Sequence, residues 1–165
     1  MRFLGFAVVT GAAIVLSACG GGDKAATDTT ATAVDTAAAA PAAAPVAGAM
    51  SPITGTTHEV KMIGDAQGYR FEPAEVMAKA GDGVRFVFVS QGPHNVAFDP
   101  TKVPAEFKAA MMGNMPEQQG ELSGKMLIAP GESYTISLGG VAPGTYEFNC
   151  TPHLAMNMKG KIIVQ

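Results

Sequence analysis

Apolar and polar residues alternate through a series of short runs in the C-terminal two-thirds of the chain. Glu59-Val60-Lys61-Met62-Ile63 comes first, then Val84-Arg85-Phe86-Val87-Phe88-Val89 and Asn95-Val96-Ala97-Phe98. Lys125-Met126-Leu127-Ile128, Tyr134-Thr135-Ile136-Ser137-Leu138, Thr145-Tyr146-Glu147-Phe148-Asn149 and Gly160-Lys161-Ile162-Ile163-Val164 follow. Successive side chains of a strand point to opposite faces, so runs with this period predict half-buried β-strands. Ala80-Gly81-Asp82-Gly83, Ala129-Pro130-Gly131-Glu132 and Ala142-Pro143-Gly144 supply the turns between them. Short strands at regular spacing predict an all-β fold, either a β-sandwich or a small barrel. One segment breaks the pattern: residues 104–115, with Ala105, Glu106, Phe107, Lys108, Ala109, Ala110, Met111 and Met112, predict a helical excursion of a turn or two between strands.

The first third reads differently. One positive charge, Arg2, precedes an apolar stretch that runs to Leu16 and is too short for a comfortable transmembrane helix, the pattern of an export signal. It ends Leu16-Ser17-Ala18-Cys19-Gly20, which resembles the bacterial lipoprotein signal, with small residues ahead of a cysteine that is lipidated. That resemblance implies cleavage after residue 18 and a membrane anchor on Cys19, facing the periplasm or the outer side of the cell membrane. From residue 20 to 56 the chain is mostly Gly, Ala, Thr and Pro, with no aromatic residue and no periodic apolar face. Such a segment cannot bury enough surface to fold, so residues 19–56 are expected to form a lipidated Cys and a disordered tether, about 33 Å across as a random coil. Residues 57–165 are left to carry the fold.

Chemistry concentrates near the C-terminus. Cys150-Thr151-Pro152-His153-Leu154-Ala155-Met156-Asn157-Met158 places a thiolate, an imidazole and two thioethers within one short loop. A second imidazole lies upstream in Gly92-Pro93-His94-Asn95-Val96. Cys150 at a strand end, His153 in the turn, and Met156 or Met158 before the last strand can converge on one point, and His94 can close it from a neighbouring strand. Two nitrogens and a thiolate with a weak axial thioether are the donors of a blue-copper electron-transfer centre. With 3 His in 165 residues, a His falls three positions after a given Cys about 2% of the time, so the combined spacing is specific. Pro93 and Pro152 flank ligands and restrict their loops by fixing φ.

These residues resemble the cupredoxins, and within them the plastocyanin and pseudoazurin type. The resemblance is carried by Cys150-Thr151-Pro152-His153 with Met158, the following Lys159-Gly160-Lys161-Ile162-Ile163-Val164, Pro93-His94-Asn95-Val96, and Phe98-Asp99-Pro100. It implies an eight-stranded Greek-key sandwich holding one copper per chain on His94, Cys150, His153 and, axially, Met158. Met156 fits the spacing of a shorter-loop relative and is the alternative axial ligand; Met158 is preferred because it stands immediately before Lys159-Gly160-Lys161, as in the plastocyanin type. The resemblance further implies that Asn95 ties the two ligand loops together near the sulfur. The stretch from Val103 to Ser123 has no clear counterpart in it.

The implied function is one-electron transfer between redox partners in the cell envelope, with the electron leaving by the edge of His153 among Leu154, Ala155, Pro152, Gly92 and Pro93. Catalysis fits poorly, because the loop supplies a fourth donor where a metalloenzyme keeps an open position. His58 is the one spare imidazole and is expected to be solvated. Lipidation would consume Cys19, so no disulfide is expected. A net charge of -3 gives no basic field for nucleic acid. Residues 57–165 hold nine Lys or Arg against eleven Asp or Glu, so docking is expected without strong charge steering. The competing reading is a copper-handling protein that holds Cu(I) on Met111, Met112 and Met115.

Overall fold

The computed structural model describes residues 49–165. Eight strands alternate with one helix in chain order: β1 (Thr57–Asp65), β2 (Gly68–Glu72), β3 (Glu75–Ala78), β4 (Gly83–Ser90), β5 (Ala97–Phe98), α1 (Ala105–Asn114), β6 (Ser133–Ser137), β7 (Gly144–Asn149) and β8 (Lys159–Val164). They form two four-stranded sheets, ordered β2-β1-β4-β6 and β3-β8-β7-β5. β1 runs parallel to β4 and β3 to β8, while the other pairs are antiparallel. The sheets face each other as a sandwich and do not close into a barrel.

The alternation of the sequence becomes the two faces of each strand. Val60 and Met62 of β1, Val84, Phe86 and Phe88 of β4, Tyr146 and Phe148 of β7, and Ile162 and Val164 of β8 point into one core. Phe148 is its centre: Phe71 at 4.8 Å, Phe86 at 5.2 Å and Phe98 at 6.2 Å all meet it edge to face. Full burial of each such ring contributes about 1.5–3 kcal/mol. The helix docks through Phe107, which stacks on Tyr146 at 4.0 Å, and through Met111, both buried. Its bounds agree with the expected excursion.

Three differences from the sequence reading have physical causes. Residues 125–128 form no strand but only a bridge from His94 to Leu127, because the Glu132 carboxylate accepts the Ile128 and Ala129 N–H groups and turns the chain away. β2 and β3 are edge strands on either side of Pro73, five and four residues long, too short for their period to stand out in the sequence. The expected tether runs to Thr56, yet residues 51–56 lie on the domain. Thr54 and Gly55 donate to the Gly81 carbonyl, Thr56 donates to Asp82 Oδ1, and Ser51 donates to Oδ1 of the buried Asn114. The folded unit therefore begins before Thr57.

The export signal, Cys19 and most of the expected tether lie outside the described residues. Among the described residues no helix is long and apolar enough to cross a membrane.

Candidate metal centre

Strand ends position the site. β4 stops at Ser90, and the chain turns through Gln91, Gly92 and Pro93 to bring His94 inward at 0% exposure. Gly92 is required there: a Cβ would stand 2.4 Å from the Phe88 ring, which packs edge-on against the His94 imidazole at 4.9 Å. A register shift between Met62 and Ile63 of β1 lets Ile63 face Ser90 and leaves Val89 out of the ladder, bending the end of β4 toward the loop.

Cys150 follows the last residue of β7 and opens a 3₁₀ turn, Thr151–Met156, with Pro152 in its first turn. The loop closes on itself. Cys150 N–H donates to the Met158 carbonyl, Met158 N–H to the His153 carbonyl, and His153 N–H to the Cys150 carbonyl, at 3.1, 3.2 and 3.1 Å. Asn157 takes the left-handed conformation that ends the turn, which Asn tolerates better than most residues. Asn95 joins this loop to the other ligand loop. Its Oδ1 accepts Thr151 N–H at 2.8 Å, while its Nδ2 donates to Thr151 Oγ1 and Ser123 Oγ.

The result is a cluster of three donors. Cys150 Sγ lies 3.4 Å from His153 Nδ1 and 3.7 Å from His94 Nδ1, and all three donor atoms fall within 4.8 Å of one another. Nitrogen and sulfur donors bonded to one ion at about 2.0 and 2.3 Å, 120° apart, would be about 3.7 Å from each other. The residues present therefore fit a trigonal N₂S set, which selects copper with a soft thiolate. Burial pushes the Cys150 thiol up, and the backbone of Asn95 and His153 opposes the shift. Burial lowers both imidazoles, and His94 lowers His153 further by charge, so each nitrogen is held neutral and able to ligate.

The two candidate axial residues part company. Met158 is fully buried, whereas Met156 is 55% exposed at the surface of the same loop. Both loops expose apolar residues, Pro152, Leu154, Ala155 and Met156 beside His153 and Gly92 and Pro93 beside His94, among the polar Gln91, Thr151 and Asn157. His58 lies elsewhere, as the second residue of β1 at the far end of the sandwich, and its Nε2 pairs with Asp82 Oδ2 at 2.9 Å. It is half-exposed, as a solvated residue would be, and also paired. The Met-rich reading of the helix is corrected. Met111 and Met115 are buried at 0% and 2% and fill the core, leaving Met112 alone at the surface. Sequence reasoning missed Tyr69, whose ring stacks on the His153 imidazole with centroids 3.7 Å apart and planes 10° apart. Only its aromatic character was visible in the sequence, since its strand was not.

Comparison with known proteins points the same way. The model of the family described as copper binding proteins, plastocyanin/azurin family, matches residues 58–165. The plastocyanin of Prochlorothrix hollandica is 41% identical over 112 residues, 68% of this chain and 76% of the relative. That of Solanum crispum is 37% identical over 106 residues, 64% of this chain and 98% of the relative. The oxidised form of plastocyanin from Dryopteris crassirhizoma superposes with a TM-score of 0.50 at 32% identity, covering 65% of this chain and 99% of that one.

Proposed function

The chain belongs to the plastocyanin/azurin family of copper-binding proteins, and from that premise we propose that it carries single electrons between redox proteins of the cell envelope on one copper. The observation that supports this most is the convergence of His94 Nδ1, Cys150 Sγ and His153 Nδ1 at the end of the sandwich. These three, with the buried Met158 of the same loop, are the proposed ligands. The metal supplies the chemistry of cycling between Cu(II) and Cu(I).

Everything else is done by the fold. A carrier is fast when its ligands do not move as the charge changes. The closed hydrogen-bond ring from Cys150 to Met158, the Asn95 bridge and the Ser90 carbonyl that accepts from His94 Nε2 hold the donors in place. His153 is the ligand nearest the surface, and the apolar rim of Pro152, Leu154, Ala155 and Met156 suits brief docking that buries little and releases quickly. Partners are redox proteins that touch this rim; nucleic acid and small-molecule substrates have no part.

The carrier is held on the outer side of a membrane by lipid on Cys19 and by the segment that follows it. Support for the anchor comes from the sequence of residues 1–20 alone. A redox titration followed by visible absorption tests the carrier reading: a reversible transition of one electron per chain is expected, and it should vanish in Cys150→Ser. Copper that does not change oxidation state reversibly contradicts it.

A further inference from the structure

The two histidines of the cluster are oriented by different means. His94 donates its outer nitrogen to the Ser90 carbonyl at 3.2 Å, the usual way in which a metal-ligating imidazole is fixed. His153 has no counterpart: among the described residues the one hydrogen-bonding contact of its ring is Nδ1 with Cys150 Sγ. No buried side-chain nitrogen or oxygen among those residues lacks a partner, so the unpartnered Nε2 is the part of the ring that solvent reaches.

What lies against His153 instead is Tyr69, stacked face to face at 3.7 Å with planes 10° apart. The stack is built into the hairpin. Tyr69 of β2 faces Gly64 of β1, and a Cβ on Gly64 would stand 2.7 Å from Tyr69 Cε1. A glycine at 64 leaves the slot that the Tyr69 ring needs. The same ring meets His94 edge-on at 6.0 Å, so it bears on both imidazoles.

Building on the copper-carrier reading, we propose that Tyr69 is the positioning residue of His153, fixing the plane of that imidazole in place of a hydrogen bond. An acceptor on Nε2 would cap the outward edge of the ring, where the electron leaves. A stacked ring restrains the imidazole from its face and keeps that edge open. The electron-rich face of a phenol also favours an imidazole that shares positive charge, so the stack favours Cu(II) over Cu(I).

Tyr69→Leu keeps the slot filled and apolar but removes the π face, while Tyr69→Phe keeps the face and removes the hydroxyl. Affinity for each oxidation state is read by chelator competition and the reduction potential by spectroelectrochemistry. Tyr69→Leu should lose about tenfold in Cu(II) affinity, as loss of a partner that orients a ligand does. It should lose less for Cu(I), so its potential rises, and Tyr69→Phe should match the parent. Equal affinities and potentials in Tyr69→Leu and the parent overturn the proposal, as does a Tyr69→Phe variant displaced as far as Tyr69→Leu. A parent protein that binds no Cu(II) through its thiolate contradicts the carrier reading itself, before any variant is compared.

Discussion

Met156 and Met158 stand two residues apart on one loop, and burial separates their roles. Met158 is enclosed where the closed ring of hydrogen bonds meets β8, while Met156 projects into solvent. Replacing Met158 by Leu removes a donor and leaves an alkane in its place, and both changes disfavour the more highly charged Cu(II). The reduction potential of Met158→Leu should therefore rise, on the order of 60 mV for each tenfold bias between the two oxidation states. Met156→Leu should leave spectrum and potential where they are. An inverted result, measured by spectroelectrochemistry, would make Met156 the axial ligand. The cluster of Cys150, His94 and His153 was legible because Cys and His are rare enough for their spacing to carry meaning. Tyr69 was not, because its role depends on the register of β1 with β2, which brings it against a loop far along the chain.

Strands were legible wherever both faces had clear duties. β4 and β7 alternate cleanly because one face meets the core and the other meets water. Residues 125–128 are apolar enough for a strand but lose their ladder to a side chain, Glu132, whose reach cannot be read from periodicity. Residues 51–56 have no pattern at all; backbone groups hold them. Asp82 is the hub of that attachment: its carboxylate accepts from Thr56 N–H, Lys79 N–H and His58 Nε2. The bond from His58, then that from Lys79, depress its pKa from 3.8 to about 2. A folded-state pKa below the unfolded one gives stability that is complete above the unfolded value and is lost as pH falls through the folded one. Stability should thus decline between about pH 4 and pH 2, and Asp82→Asn should flatten that part of the profile in urea titrations. An unchanged slope would remove Asp82 as its source.

The two ends of the sandwich have separate tasks. β4 spans about 23 Å from Gly83, beside the attached residues 51–56, to Ser90, next to the donor cluster. Chain attachment lies at one end and the cluster at the other. Because apolar residues are exposed at the copper end, a charge at Leu154 should slow electron exchange with a partner protein by tenfold or so, since each 1.4 kcal/mol of lost docking is a factor of ten. The visible spectrum of Leu154→Asp should stay that of the parent, and a rate equal to the parent's would move the docking surface elsewhere. Topology of this kind was legible only in outline: the sequence predicts a sandwich, while the parallel pairing of β1 with β4 and of β3 with β8 emerges from the packing.

Cys150, His94 and His153 are proposed to form one copper site. Its most direct test is the visible absorption spectrum of the purified protein after one equivalent of Cu(II), beside Cys150→Ser. An intense blue thiolate-to-copper band that ascorbate bleaches, and that Cys150→Ser lacks, is the predicted result. A pale, weakly absorbing product, or a band that survives in Cys150→Ser, would contradict it.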